Sequence, residues 1–207
     1  MAANYNNSAW VYDLLSRIVY GRAIINAQVY LLQYISTNSR ILIVGGGTGW
    51  ILEELTKLHV AGLDITYVEV SANMITKSKK RNTGCNKVVF INDAIENVVL
   101  PTNFDVIITP FLFDSFTEQT LQRVFNHIHQ SLITKGIWLN CDFQLTNKWW
   151  QQVLLKSMFW FFKTLCNIEA SKLPDIEKQF YRHGYETLTI KTFFGDFIVS
   201  KVYKLPQ

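Results

Sequence analysis

Four glycines fall within five residues at Gly45, Gly46, Gly47 and Gly49, in the run ILIVGGGTGW. One glycine suffices for a tight turn. A longer stretch of bare backbone lets N–H groups come close to an anionic or carboxylate-bearing ligand, and a helix starting at Trp50 adds its positive end. The run therefore predicts a nucleotide-type ligand. Glu69, at the end of the apolar run DITYVEV, is placed to accept hydrogen bonds from ribose hydroxyls. Asp114 in FDVIITPFLFDSF and Asp142 in GIWLNCDF also follow apolar runs, and either is placed to act as a general base if an acceptor must lose a proton.

The spacing narrows the ligand. A dinucleotide fingerprint reads G-x-G-x-x-G, and counting from Gly45 its last slot holds Trp50, whose indole cannot allow the close helix packing a glycine allows. No GK[ST] follows, so a P-loop is excluded. Cys85, Cys141 and Cys166 are far apart and form no CxxC or Cys/His ligand spacing, so neither a disulfide framework nor a metal site is expected.

These residues need elements to hold them. RILIVG (40–45), DITYVEV (64–70), KVVFIN (87–92), FDVIIT (104–109) and GIWLNCDF (136–143) predict five strands. Helical spacing over 50–58, 71–80 and 118–132 places helices between them. Strands apolar on both faces that alternate with helices predict a parallel sheet covered on both sides. Helical runs at 8–20 and 22–36, broken at Gly21, precede the first strand. A long helix over 147–166 and a shorter one after Pro174 lead into YETLTIKTFFGDFIVSKVYK (185–204), which predicts an antiparallel hairpin around Gly195 and Asp196. One domain spans 1–207: a helical cap (1–37), a ligand-binding half (38–143), and a lid helix with the terminal hairpin (144–207).

In that order and at those strand ends, three motifs resemble the class I S-adenosylmethionine-dependent methyltransferases of small-molecule type. ILIVGGGTGW is similar to the first motif of that family, Glu69 in ITYVEVSANMI to the second, and Asp93 in VVFINDAIEN to the third. The resemblance covers residues 38 to 204. It implies an α/β, Rossmann-like, doubly wound and mostly parallel seven-stranded sheet, with S-adenosyl-L-methionine as cofactor. It also implies roles. Gly45, Gly46, Gly47 and Gly49 lie against the methionine part, Glu69 takes the ribose, and Asp93 with the Ala94 N–H reads adenine. Val70 and Met74 wall the adenosine, and Tyr12, Pro110, Phe111 and Phe113 surround the methyl group and acceptor. The function so implied is in-line methyl transfer to a small, apolar or aromatic acceptor, in which alignment and a dry pocket matter most. The alternatives are a cofactor-binding protein without turnover and a nucleotide-dependent oxidoreductase. A resemblance to aminopropyltransferases stops at the fourth strand, where Thr109 and Pro110 stand in place of acidic residues. TPFL also meets only half of the [DNS]PP[YF] pattern of N-methyltransferases.

Composition sets the outer bounds. The net charge is +4, and the densest basic run, TKSKKR at 76–81, reads as a helix end whose cations complement the dipole, so no nucleic-acid partner is expected. The run WWQQVLLKSMFWFF is interrupted by polar residues and falls short of a spanning helix. With no basic leader before an apolar run, a cytoplasmic location is expected. On the 147–166 helix, Trp150, Leu154, Met158, Phe161 and Leu165 form one apolar stripe, and Trp149, Val153 and Trp160 form another nearly opposite. The second stripe predicts a further partner: a hydrophobic acceptor, a membrane surface, or a second subunit in a homodimer.

Overall fold

Strands buried on both faces carry no charge in their interiors, and that explains which strands sit in the middle of the sheet. The computed structural model describes residues 20–166, 170 and 172–206. Its seven strands are β1 (Arg40–Val44), β2 (Ala61–Val68), β3 (Cys85–Ile91), β4 (Phe104–Pro110), β5 (Leu132–Phe143), β6 (Glu186–Phe193) and β7 (Ile198–Lys204), in the order β3-β2-β1-β4-β5-β7-β6. RILIV and FDVIITP are almost wholly buried in β1 and β4, whereas the edge strand β3 exposes alternate residues along its first half and the edge strand β6 is exposed along most of its length. Only β7 runs against the rest, because it pairs antiparallel with both β5 and β6.

Helices cover both faces. On one side α1 (Ala23–Leu32), α2 (Trp50–Leu58), α3 (Ala72–Ser78) and α5 (Trp149–Cys166) enclose a core that includes Leu31, Leu55, Ile43, Ile108 and Leu139. On the other, α4 (Glu118–His129) and α6 (Ile176–Arg182) close over Phe125, Trp138, Phe180 and Tyr203. Thr117 caps α4 and Ser71 caps α3, each accepting a backbone N–H three residues on, from Thr120 and Met74.

The chain reverses its direction of sheet growth between β1 and β4, the place where open parallel sheets bind ligands. Register brings the strand ends level there: Val44 stands beside Val68, Pro110 beside Cys141, and Asp142 beside Val199. Gly45, Glu69, Phe111 and Asp142 therefore emerge along one rim.

Among the described residues the expected elements occur, with their bounds shifted most at β2 and β5. β2 begins at Ala61 rather than 64, and β5 begins at Leu132 rather than 136. In both, the added residues are largely exposed, so their side chains lack the apolar signature of a buried strand. The run at 8–20 and Tyr12 lie outside the described residues. On α5, Trp150, Leu154 and Met158 pack against the first core, as the first stripe predicts, while Trp149, Val153 and Trp160 are exposed. Leu165 lies outside the described side chains. Among the described residues, no helix is long and apolar enough to cross a membrane.

Phe180 is the keystone of the second core, stacked on Tyr203 and set edge-on to Phe125 and Trp138. Phe180→Ala is expected to lower the unfolding free energy by about 3–5 kcal/mol in guanidinium titrations, the range for a buried aromatic lost to a cavity.

Candidate active site

The glycine loop is held from beneath. Tyr67, fully buried in β2, donates its hydroxyl to the Gly47 carbonyl at 2.9 Å. Its ring lies so close to Gly46 that a Cβ there would sit 2.5 Å from ring atoms. Gly46 is a glycine because Tyr67 leaves no other choice. Gly49 plays a similar part on the helix side: a Cβ would fall 2.5 Å from the Ser78 Cβ, so it lets α2 and α3 approach each other. This close approach, assigned by the dinucleotide pattern to the slot held by Trp50, is made here one residue earlier. Trp50 opens α2 and is half-buried. Arg81 locks the same corner, donating from Nε to the Thr48 carbonyl at 3.0 Å.

Glu69 joins the first two strand ends. One carboxylate oxygen accepts the Gly47 N–H at 3.0 Å and the other accepts the Ser71 N–H at 2.9 Å. Burial raises its pKa, and the N–H groups of Ser71, Gly47 and Val70 work against that rise by favouring the charged form. A carboxylate offers about four acceptor sites, so these backbone donors leave it acceptor capacity. Above Gly47 the loop is open, since a Cβ there would meet only the Met74 sulfur, at 3.9 Å. Val70 is half-buried beside it in sequence.

Asp93 is exposed at the end of β3. Its Oδ1 accepts both the Ala94 N–H at 2.7 Å and the Asn97 side-chain amide at 2.9 Å, so this oxygen caps the turn Ile95–Asn97. Oδ2 faces no such demand. The Ala94 N–H, expected to reach a ligand ring nitrogen, is bonded to Asp93 in this conformation.

Beyond β4 the chain turns sharply. Phe111 has φ +52, a left-handed conformation that costs about 1–3 kcal/mol in a residue other than glycine. It is half-buried and packs on Phe143 with ring centroids 4.9 Å apart. The same turn sends Phe113 inward. Placed by sequence beside an acceptor, Phe113 is instead fully buried among Phe116, Phe125 and Trp138 in the second core. Pro110 is buried at the strand end next to them.

Asp114 and Asp142 meet at this turn. Asp142 is buried, and its two oxygens accept the Phe113 N–H at 3.3 Å and the Phe143 N–H at 3.0 Å. Burial first, and then the nearby Asp114 charge, drive its pKa well upward. Asp114 is half-buried, and desolvation pushes its pKa up to about 7. Two neighbouring carboxyls resist ionising together, so the pair keeps a proton into the neutral range.

A residue that sequence patterning did not single out completes the wall. Tyr20 is buried against Phe143, Phe194 and Phe197, donates to the Met158 sulfur at 2.6 Å, and feels the Asp114 charge. Nothing in a single tyrosine ahead of the first strand signals this. Tyr67 was equally silent, since an aromatic in a buried strand reads as plain core.

Comparison with known proteins gives three findings. The methyltransferase domain family matches residues 41–136. A malonyl-[acyl-carrier protein] O-methyltransferase of Bacillus cereus is 32% identical over 140 residues, 67% of this chain and 51% of the relative, so the chain spans about half of that protein's length. Among solved structures, a TehB-like SAM-dependent methyltransferase of Corynebacterium glutamicum superposes with a TM-score of 0.59 at 17% identity, covering 97% of each chain. A chain from the complex of the Haloferax volcanii Trm112 methyltransferase activator with a methyltransferase reaches 0.72 at 11% identity, covering 100% of both.

Two outcomes test this geometry. Gly46→Ala is expected to lower thermal stability by about 1–3 kcal/mol, because the Tyr67 ring must move to admit the methyl group. For Asp114, the raised folded-state pKa means that its protonated carboxyl is tolerated fully below about pH 4 and that stability falls as pH rises through about 7. Asp114→Asn is therefore expected to melt above the wild type at alkaline pH, with the gap closing toward pH 4. A gap independent of pH contradicts the assignment.

Proposed function

Because the chain belongs to the class I S-adenosylmethionine-dependent methyltransferases, with S-adenosyl-L-methionine as its cofactor, we propose that it methylates a small apolar or aromatic acceptor at the ends of β4 and β5. The observation that carries this reading is the convergence of the Gly47 and Ser71 N–H groups on the Glu69 carboxylate, beside an open glycine loop.

The residues present fit the cofactor. Gly45, Gly46, Gly47 and Gly49 offer bare backbone to its methionine part. Glu69 has acceptor capacity for both ribose hydroxyls, and bonds to a charged acceptor are about twice as strong as neutral ones. Asp93 holds the adenine amino group through its Oδ2, and the Ala94 N–H turns from Asp93 to the base on binding. Val70 and Met74 flank the adenosine. When bound, the cofactor supplies a methyl group on a sulfonium, an electrophile that needs no activation from the protein.

The chain's remaining task is alignment and exclusion of water. Pro110 and Phe111 border the transfer line, with the Tyr20 ring on the acceptor side, and aromatic faces tolerate the sulfonium charge. Asp114 is the general base, half-buried at the rim with its pKa pushed up to about 7, so it takes a proton from an acceptor hydroxyl without strong cost. Asp142 is a positioning residue: its hold on the Phe113 N–H fixes the turn that carries Asp114. An oxygen acceptor is supported by the O-methyltransferase named among the relatives.

Calorimetric titration tests the cofactor and acceptor screening tests the reaction. S-adenosyl-L-methionine and S-adenosylhomocysteine are expected to bind, and Glu69→Ala to weaken them by about 1–3 kcal/mol, the scale for a hydrogen bond to a charged group. Binding of NAD alone overturns the reading. A screen with labelled cofactor is expected to label hydroxyl or carboxylate acceptors. Binding of cofactor with uniformly blank transfer reassigns the chain as a cofactor binder.

A further inference from the structure

On the α6 face of the sheet, a groove of about 310 Å³ opens between β5, β7 and the turn that leads into α6. At roughly 30 Å³ for a water-sized group, it has room for about ten non-hydrogen atoms. Its apolar lining includes Leu145, Leu173, Ile176 and Val199, interrupted by Gln144, and the Phe143 ring turns away to the first core. Its inner end is polar. Asn140 and Lys201 stand opposite each other on neighbouring strands and are 3% and 8% exposed.

Asn140 has half its amide occupied, because Oδ1 accepts the Thr109 hydroxyl at 2.8 Å. The group left to donate is the NH2. Lys201 forms an ion pair with Glu177, and the partners are unequal: the lysine side chain is 9% exposed and the glutamate 70%. A buried ammonium requires an anion, since its desolvation costs several kcal/mol if unpaired. A carboxylate largely in water does not require the lysine in return. Glu177 also sits in the first turn of α6, where a negative charge is favourable on its own account.

The other two carboxyls on the groove are engaged elsewhere. Asp175 accepts the Lys178 N–H at 3.0 Å and caps α6, and Asp142 is held by the backbone of Phe113 and Phe143. The groove thus joins one buried cation, one amide donor and an apolar channel, with an exchangeable carboxylate over the cation.

We propose that this groove binds an apolar monocarboxylate of up to about ten non-hydrogen atoms, its carboxylate replacing Glu177 on Lys201 and accepting from the Asn140 amide, its chain lying along Leu145 and Leu173. The assignment rests on the second face of the sheet and does not depend on cofactor turnover.

The test is titration of the full chain, without cofactor, using octanoate as probe and 1-octanol and octylamine as controls. Octanoate is expected to bind saturably and at least about tenfold more tightly than either control, the scale of a charge-assisted contact. Lys201→Met is expected to abolish that preference. Glu177→Gln is expected to lower stability in the absence of ligand, because it leaves the Lys201 ammonium unpaired, and to tighten octanoate several-fold by removing the resident competitor. Equal affinity for octanoate and octanol overturns the proposal, and so does a Glu177→Gln variant that binds octanoate no better than the wild type. The comparison of octanoate with 1-octanol on the unaltered chain decides the matter even if neither variant folds.

Discussion

Two backbone N–H groups on one buried carboxylate hold the rim of this protein together. Glu69 takes the Gly47 N–H from the loop after β1 and the Ser71 N–H from the cap of α3, so a single side chain ties the ends of two parallel strands. Tyr67, two residues earlier on the same strand, fastens the Gly47 carbonyl from below. The loop is thereby held by its N–H on one side and its C=O on the other. Such a cradle is preorganised: the groups a ligand would meet are in place before it arrives, and little ordering remains to be done on binding. Parallel pairing of β1 with β2, with Val44 beside Val68, is what places these groups within reach.

The acceptor side follows a different logic. There the fold tolerates a costly arrangement, a non-glycine residue at positive φ and two carboxyls side by side, where β4 gives way to the turn into α4. Asp142 is satisfied by backbone donors, and Asp114 is kept from ionising freely by its own burial. The result is one structural and one accessible carboxyl with separate environments. Between β4 and β5, the chain Trp138 to Thr109 to Asn140 satisfies polar groups in an otherwise apolar core, and leaves the Asn140 amide NH2 without a role in it, at the groove that Lys201 also lines.

Local signals made much of this legible in sequence. The glycine run, the alternation of apolar strands with helices and the hairpin at Gly195 are patterns of composition and period, and they place Gly45 to Gly49, Glu69 and Asp93 at strand ends. What stayed hidden depends on register or on backbone reversal. Phe113 follows β4 at a spacing that suggests the rim, yet the left-handed Phe111 turns the chain and buries it. The meeting of Asp114 with Asp142 requires β4 and β5 to align at Pro110 and Cys141, which no single segment reveals. Tyr67, Tyr20 and Lys201 read as core or surface because their partners are remote in sequence.

The central claim is that the cradle around Glu69 holds an adenosyl group, and a crystal structure with S-adenosylhomocysteine tests it most directly. Both ribose hydroxyls are expected within hydrogen-bonding distance of the Glu69 carboxylate, with the amino-acid part of the ligand along Gly45 to Gly47. A ligand lodged elsewhere, or a loop closed over by Leu112 or Trp50 with Glu69 turned away, contradicts it.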